Sequence, residues 1–151
     1  MKRIIFLLAG ALALASFIAC SNGNSTAPAT EESQELSEPT GNAKVEVMYF
    51  HGKKRCATCV AIENETKAAM ENELAAEVAE GKVCMRTIDI STDEGKAIAQ
   101  RYKIAFSSLI IVANPGESEQ VDDLTSFAFS NARLNAAEFR QELHKRVTAN
   151  L

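Results

Sequence analysis

The run VEVMYFHGKKRCATCVAIENETKAAM, residues 45–70, limits the possible folds more than any other part of the chain. Its first six residues, VEVMYF, are rich in branched and aromatic side chains, which reads as a strand buried on both faces toward its end. His51 and Gly52 stop that strand, and Lys53, Lys54 and Arg55 follow. From Cys56 a different period begins: Cys59, Ile62, Thr66, Ala69, Met70, Leu74 and Val78 recur at helical spacing until Gly81. A helix of that length leaves room for a kink near Glu71-Asn72. A buried strand therefore runs into a helix that opens with Cys56-Ala57-Thr58-Cys59.

The rest of the chain alternates strand and helix. KVCMRTIDI, residues 82–90, sets Val83, Met85 and Thr87 on one side and Cys84, Arg86, Ile88 and Ile90 on the other, a second strand. Ser91-Thr92-Asp93-Glu94 reads as a capping box for a short helix to about Lys103, with Ala97, Ile98 and Tyr102 on one face. SLIIVAN is a central strand that ends in the turn residues Asn-Pro-Gly-Glu, so residues 118–124 should return beside it. LTSFAFSNA fits a strand end or a helical turn equally. Asn135 to Glu138 caps a last helix whose apolar face is Phe139, Leu143 and Val147. Strands joined through helices pair in parallel and the tight turn requires an antiparallel pair, so the expected fold is a mixed four-stranded sheet flanked by helices.

The amino-terminal third reads differently. Residues 1–19 have two cations, then an apolar or small-residue run up to Ala19, the pattern of an export signal. Cys20 directly after it resembles the lipobox of bacterial lipoproteins, which implies a lipidated Cys20 as the new amino terminus and, with Ser21 next, anchoring to the outer membrane, with the inner membrane or an ordinary signal as alternatives. Residues 20–43, rich in Ser, Thr, Asn, Pro and Glu, should form a flexible tether, leaving residues 44–151 as one domain. Loss of residues 1–19 removes Lys2 and Arg3 and leaves 14 cations against 20 anions, a net charge of -6. That balance excludes nucleic acid as an expected partner.

The element order, with Cys-x-x-Cys opening the first helix, resembles the thioredoxin fold over residues 44–151, and so implies a three-layer α/β sandwich. His-Gly-x-x-Arg-Cys-x-x-Cys, Arg101-Tyr-Lys-Ile and Phe106-Ser-Ser-Leu are similar to small bacterial lipoproteins of the nitrophenyl compound nitroreductase subunit ArsF family. That resemblance implies a part in nitroaromatic reduction or arsenic resistance, at the membrane and facing the periplasm. Against the thioredoxin pattern, Met48 stands where a buried acid is usual, with Glu46 two residues earlier. Ser108 stands where a cis-proline is usual, and Arg55 and Ala57-Thr58 replace the tryptophan and Gly-Pro.

The chemistry expected of the pair follows from position. A sulfur at the first turn of a helix, behind Lys53, Lys54 and Arg55, is stabilised as thiolate by the helix dipole and the cations, which makes Cys56 the attacking sulfur and Cys59 the resolving one. The expected function is thiol-disulfide exchange with a protein disulfide or an electron donor, through a redox-active disulfide and no other cofactor. Supporting roles fall to His51, Lys54, Arg55 and Ser108. The alternatives are a purely structural disulfide, or a binding module in which the reduced pair holds arsenite or another soft ion; a zinc site from Cys56, Cys59 and His51 lacks a fourth ligand. Cys84, inside an alternating strand, reads as a small buried hydrophobe.

Overall fold

The computed structural model describes residues 43–116 and 118–151. The proposed signal, Cys20 and nearly all of the tether lie outside the described residues. Ala43, the last tether residue by sequence, is already buried.

Strand β1 (Val45–His51) runs one residue beyond the apolar stretch that announced it and is buried along all but its last position. It pairs in parallel with β2 (Val83–Asp89) and antiparallel with β3 (Ser108–Ala113), and β3 pairs antiparallel with β4 (Gln120–Asp123). The sheet order is β2-β1-β3-β4. Because β1 and β3 are interior, both faces must be largely apolar, which VEVMYF and SLIIVA supply except at the buried Glu46 and Ser108.

The long helical pattern after Cys56 is divided. Helix α1 (Ala57–Glu71) ends where the Asn72 side chain donates to the Ala68 carbonyl at 2.7 Å, and α2 (Ala75–Ala79) follows. Leu74, wholly buried, pins the break, whereas Val78 faces outward at 38% exposure, outside the apolar face assigned to it by spacing. Helix α3 (Asp93–Arg101) covers the other face of the sheet. Its cap is Thr92 rather than Ser91: Thr92 Oγ1 accepts from Gly95 N at 3.0 Å and donates to Asp89 O at 2.8 Å, so Glu94 closes no box. The buried residues of α3 are Gly95 and Ala99, and Ala97 points to solvent.

LTSFAFSNA, open between two readings, is helix α4 (Thr125–Asn131), started by Thr125 Oγ1 against the Leu109 backbone. Helix α5 (Ala136–Thr148) buries Phe139, Leu143 and Val147 as its spacing requires. Asn135 takes the N-cap position as expected, but its side chain makes no capping bond and donates instead to Asn131 Oδ1 at 3.2 Å. Helices α1, α4 and α5 share one core with Val47, Tyr49 and Ile111; α3 shares the other with Met48, Phe50 and Ile110. Asn114 and Gly116, both at positive φ, turn β3 into β4 around Pro115.

The tightest of these fits is at Gly95. A Cβ there would overlap the Asp89 carbonyl, so α3 can lie this close to the end of β2 only with glycine at that position. Gly95→Ala should therefore destabilise the fold by about 1–3 kcal/mol, against the roughly 1 kcal/mol that alanine normally adds to a helix, as measured by urea unfolding. Unchanged or higher stability would contradict this packing.

Candidate active site at the strand-to-helix junction

The end of β1 delivers the chain into a loop that places Cys56 one position earlier than the first helical turn. Cys56 is the N-cap of α1: its φ/ψ of -80/163 is extended, and its sulfur accepts from Cys59 N at 3.1 Å. A sulfur thus does what a serine or aspartate oxygen does at other helix starts, occupying one of the free amino-terminal donors. Cys56 is exposed, Cys59 only 6% exposed, and the two form a disulfide with Cα atoms 5.0 Å apart. One sulfur is open to attack while the other is shielded.

Two residues fasten this junction to the core. Tyr49, wholly buried in β1, donates its hydroxyl to the Cys59 carbonyl at 2.7 Å. Burial pushes its phenol up, and Arg55 and Ser107 oppose that shift. The Arg55 guanidinium lies 5.8 Å from the Tyr49 ring centre and forms an ion pair with Glu63. Glu63, 8% exposed, also accepts from Lys67 Nζ at 2.8 Å.

Glu63 was not among the candidates drawn from the sequence. It stands four residues after Cys59, and such spacing places two side chains on one helix face. Its pairing with Arg55 is the signal that was missed, since the cation immediately before Cys56 is thereby shared with a carboxylate.

The remaining candidates are placed as follows. His51 is half-buried, its ring stacked on Tyr49 at 6.0 Å between centres and its Nδ1 3.3 Å from Gly52 O. Lys53 and Lys54 are exposed and form no ion pair among the described residues. Ser108 is buried in register with Phe50, and its hydroxyl donates to Phe106 O at 3.0 Å; Ser107 is the serine that meets the Tyr49 hydroxyl. No cis peptide occurs among the described residues. Met48 is buried among Phe50, Ile88 and Ile110 on the α3 side, and Glu46 sits against Arg86. At the same end of the sheet as the disulfide, Val60 and Phe106 are exposed at 40% and 65%.

Cys84 is apart from the pair, buried and unbridged in β2. Burial first, then the Glu46 carboxylate beside it, pushes its thiol up to about 11.

The parallel β1/β2 pair, the antiparallel β1/β3/β4 set and the Cys-x-x-Cys at the β1–α1 junction make this a thioredoxin-like α/β fold. A thioredoxin from Thermus thermophilus, solved in solution, is similar with a TM-score of 0.43 and 16% identity, covering 68% of this chain and 72% of that one. Human ERp44 form I is similar with a TM-score of 0.49 and 19% identity over 73% of this chain, and the zinc-bound human ERp44 form with 0.44 and 22% over 68%. This chain covers 28% of the length of each ERp44 chain. No family model matches the chain, and no curated protein does.

Two measurements follow from this geometry. Glu63→Gln leaves Arg55 unshared beside Cys56, so the reduced protein should alkylate at Cys56 up to about tenfold faster at neutral pH, and the pair's reduction potential should rise by up to about 30 mV. A variant that loses stability while rate and potential stay unchanged would show that the ion pair only packs the helix. For Cys84 the raised thiol means that the unfolded chain ionises first as pH rises. Its contribution is complete below about pH 9 and is lost toward pH 11, a loss of roughly 2–3 kcal/mol relative to a Cys84→Ala variant followed by urea unfolding. Parallel stability curves for the two proteins over that interval would refute it.

Proposed function

We propose that this chain is a thiol-disulfide oxidoreductase that works through Cys56 and Cys59. The observation that carries the reading is the unequal pair: an exposed Cys56 sulfur capping α1 and bonded to a buried Cys59. In the oxidised protein an incoming thiolate attacks Cys56 Sγ, the Cys56–Cys59 bond breaks, and Cys59 leaves as a thiolate that takes up a proton. A second thiol of the partner then attacks the sulfur it has bound to Cys56. The partner leaves as a disulfide, and Cys56 and Cys59 remain reduced. The reverse sequence passes two electrons to a partner disulfide. Unfilled donors at the start of α1 stabilise the Cys56 thiolate in either direction.

Lipid attachment at Cys20, supported by the apolar run that ends there, would hold this chemistry at a membrane outside the cytoplasm, with the inner or outer membrane as its seat. Service to a nitroaromatic-reducing or arsenic-resistance system is the narrower form of the proposal, and it rests on the sequence resemblance around the cysteines. The competing reading, arsenite held by the reduced pair, draws on the same exposed sulfur.

A Cys59→Ser variant should accumulate mixed disulfides through Cys56 with thiol-containing proteins, whereas Cys56→Ser should accumulate none, as read on non-reducing gels. The wild type should reduce insulin when given dithiothreitol. Failure of Cys59→Ser to capture any protein under both oxidising and reducing conditions would sink the enzymatic reading. Stoichiometric arsenite uptake with no insulin reduction would replace it by the binding one.

A further inference from the structure

A second polar site lies at the opposite end of β1 from the cysteines. From Glu46 to His51 the strand advances roughly 16 Å. Glu46, Met48, Arg86, Arg101, Tyr102 and Glu119 line a cleft there of about 270 Å³. Its rim is bonded within itself: Glu119 Oε1 accepts from Arg101 at 2.5 Å, from Gly116 N at 2.9 Å and from the Tyr102 hydroxyl at 3.5 Å.

The floor is not. Glu46 is 7% exposed, and among the described residues its carboxylate accepts no hydrogen bond; the nearest cation, Arg86 Nη1, is 3.8 Å away, too far for one. The Arg86 side chain, 24% exposed, likewise donates to no described residue. The two charges form only a loose ion pair, and neither oxygen of Glu46 is sealed from solvent, so their remaining hydrogen bonds depend on what fills the cleft. A third party that replaces solvent there can complete both.

The chemistry of that third party is restricted. Glu46 can only accept and Arg86 can only donate, so a molecule that meets both charges offers a donor and an acceptor on neighbouring atoms, as an ammonium beside a carboxylate does. The two glutamates and two arginines of the lining cancel in charge, which selects a neutral zwitterion over a net anion or cation. The volume is at the small end for ligand sites, and Met48, Ile98 and the Tyr102 ring leave an apolar wall for a side chain. We propose that this cleft binds a free α-amino acid, with its ammonium on Glu46 and its carboxylate on Arg86.

The proposal does not depend on the cysteine chemistry, and its test is a binding measurement on the unmodified protein. Each proteinogenic amino acid is titrated against the labelled chain to about 10 mM, where a Kd of roughly 1 mM would nearly saturate the site, and amide shifts are followed by NMR. Shifts should concentrate at Glu46, Arg86, Gly116 and Glu119 for a subset of side chains. Calorimetry should then show at least tenfold weaker binding of the matching carboxylic acid without its amine and of the matching amine without its carboxylate. Glu46→Gln and Arg86→Met should each lose binding. Ile98→Trp, which fills the cleft and keeps both charges, should lose it as well and serves if the charge variants fail to fold. Absence of shifts at those amides with every amino acid, equal binding of either truncated analogue, or undiminished binding in a folded Ile98→Trp protein would each overturn the assignment and leave a cleft that holds only water.

Discussion

A single buried hydrogen bond, from the Tyr49 hydroxyl to the Cys59 carbonyl, joins the centre of the sheet to the first turn of α1. Tyr49 cannot move, because it is part of an interior strand paired on both sides. The helix start is therefore held where β1 dictates, and with it the backbone donors that face Cys56. Carbonyls in a first helical turn are normally committed only to donors further along the helix. The phenol gives this one a second partner, so the turn that carries Cys59 is fixed from below as well as along its axis.

Charge is arranged around that fixed turn with restraint. Three consecutive cations suggest a strongly positive loop, but Arg55 is bound back to Glu63, and Glu63 also holds Lys67. What remains for the Cys56 sulfur is the helix terminus, with Lys53 and Lys54 in solvent where screening weakens them. A thiolate stabilised too strongly is a poor nucleophile as well as a good leaving group. Sharing Arg55 with a carboxylate offsets part of the positive potential that this cation brings to Cys56.

How far the sequence could be read depended on whether the deciding contact was local. Strands β1 and β3 were legible because an interior strand has no polar side, and α5 because Phe139, Leu143 and Val147 need one apolar stripe. The Cys56/Cys59 pair was legible from its place after a strand. The cap at Ser91 was misread and the capping bond expected of Asn135 is not made, since two hydroxyls stand side by side at the first and a second asparagine one turn back competes at the other. Helix α4 stayed ambiguous because Phe127 and Phe129 suit either structure, and the Leu109 backbone that starts it lies 16 residues earlier. Glu63 and Ser107 were passed over for the same reason: their partners, Arg55 and Tyr49, are chosen by the folded junction.

The same placement decides how a proton can reach Cys59. On the α3 side of β1 the side chains near the junction are Met48, Phe50 and Ile110, none of which can carry one. Glu46 is on that side but near the far end of the strand, 3.8 Å from Arg86 Nη1. On the α1 side stand the Tyr49 phenol, already donating to the Cys59 carbonyl and raised by burial, and the Glu63 carboxylate one turn along the helix. A phenol so raised is a weak acid that keeps its proton at neutral pH. Glu63 is already committed to Arg55 and Lys67, which hold it as a carboxylate and make it a poor base for the Cys59 thiol.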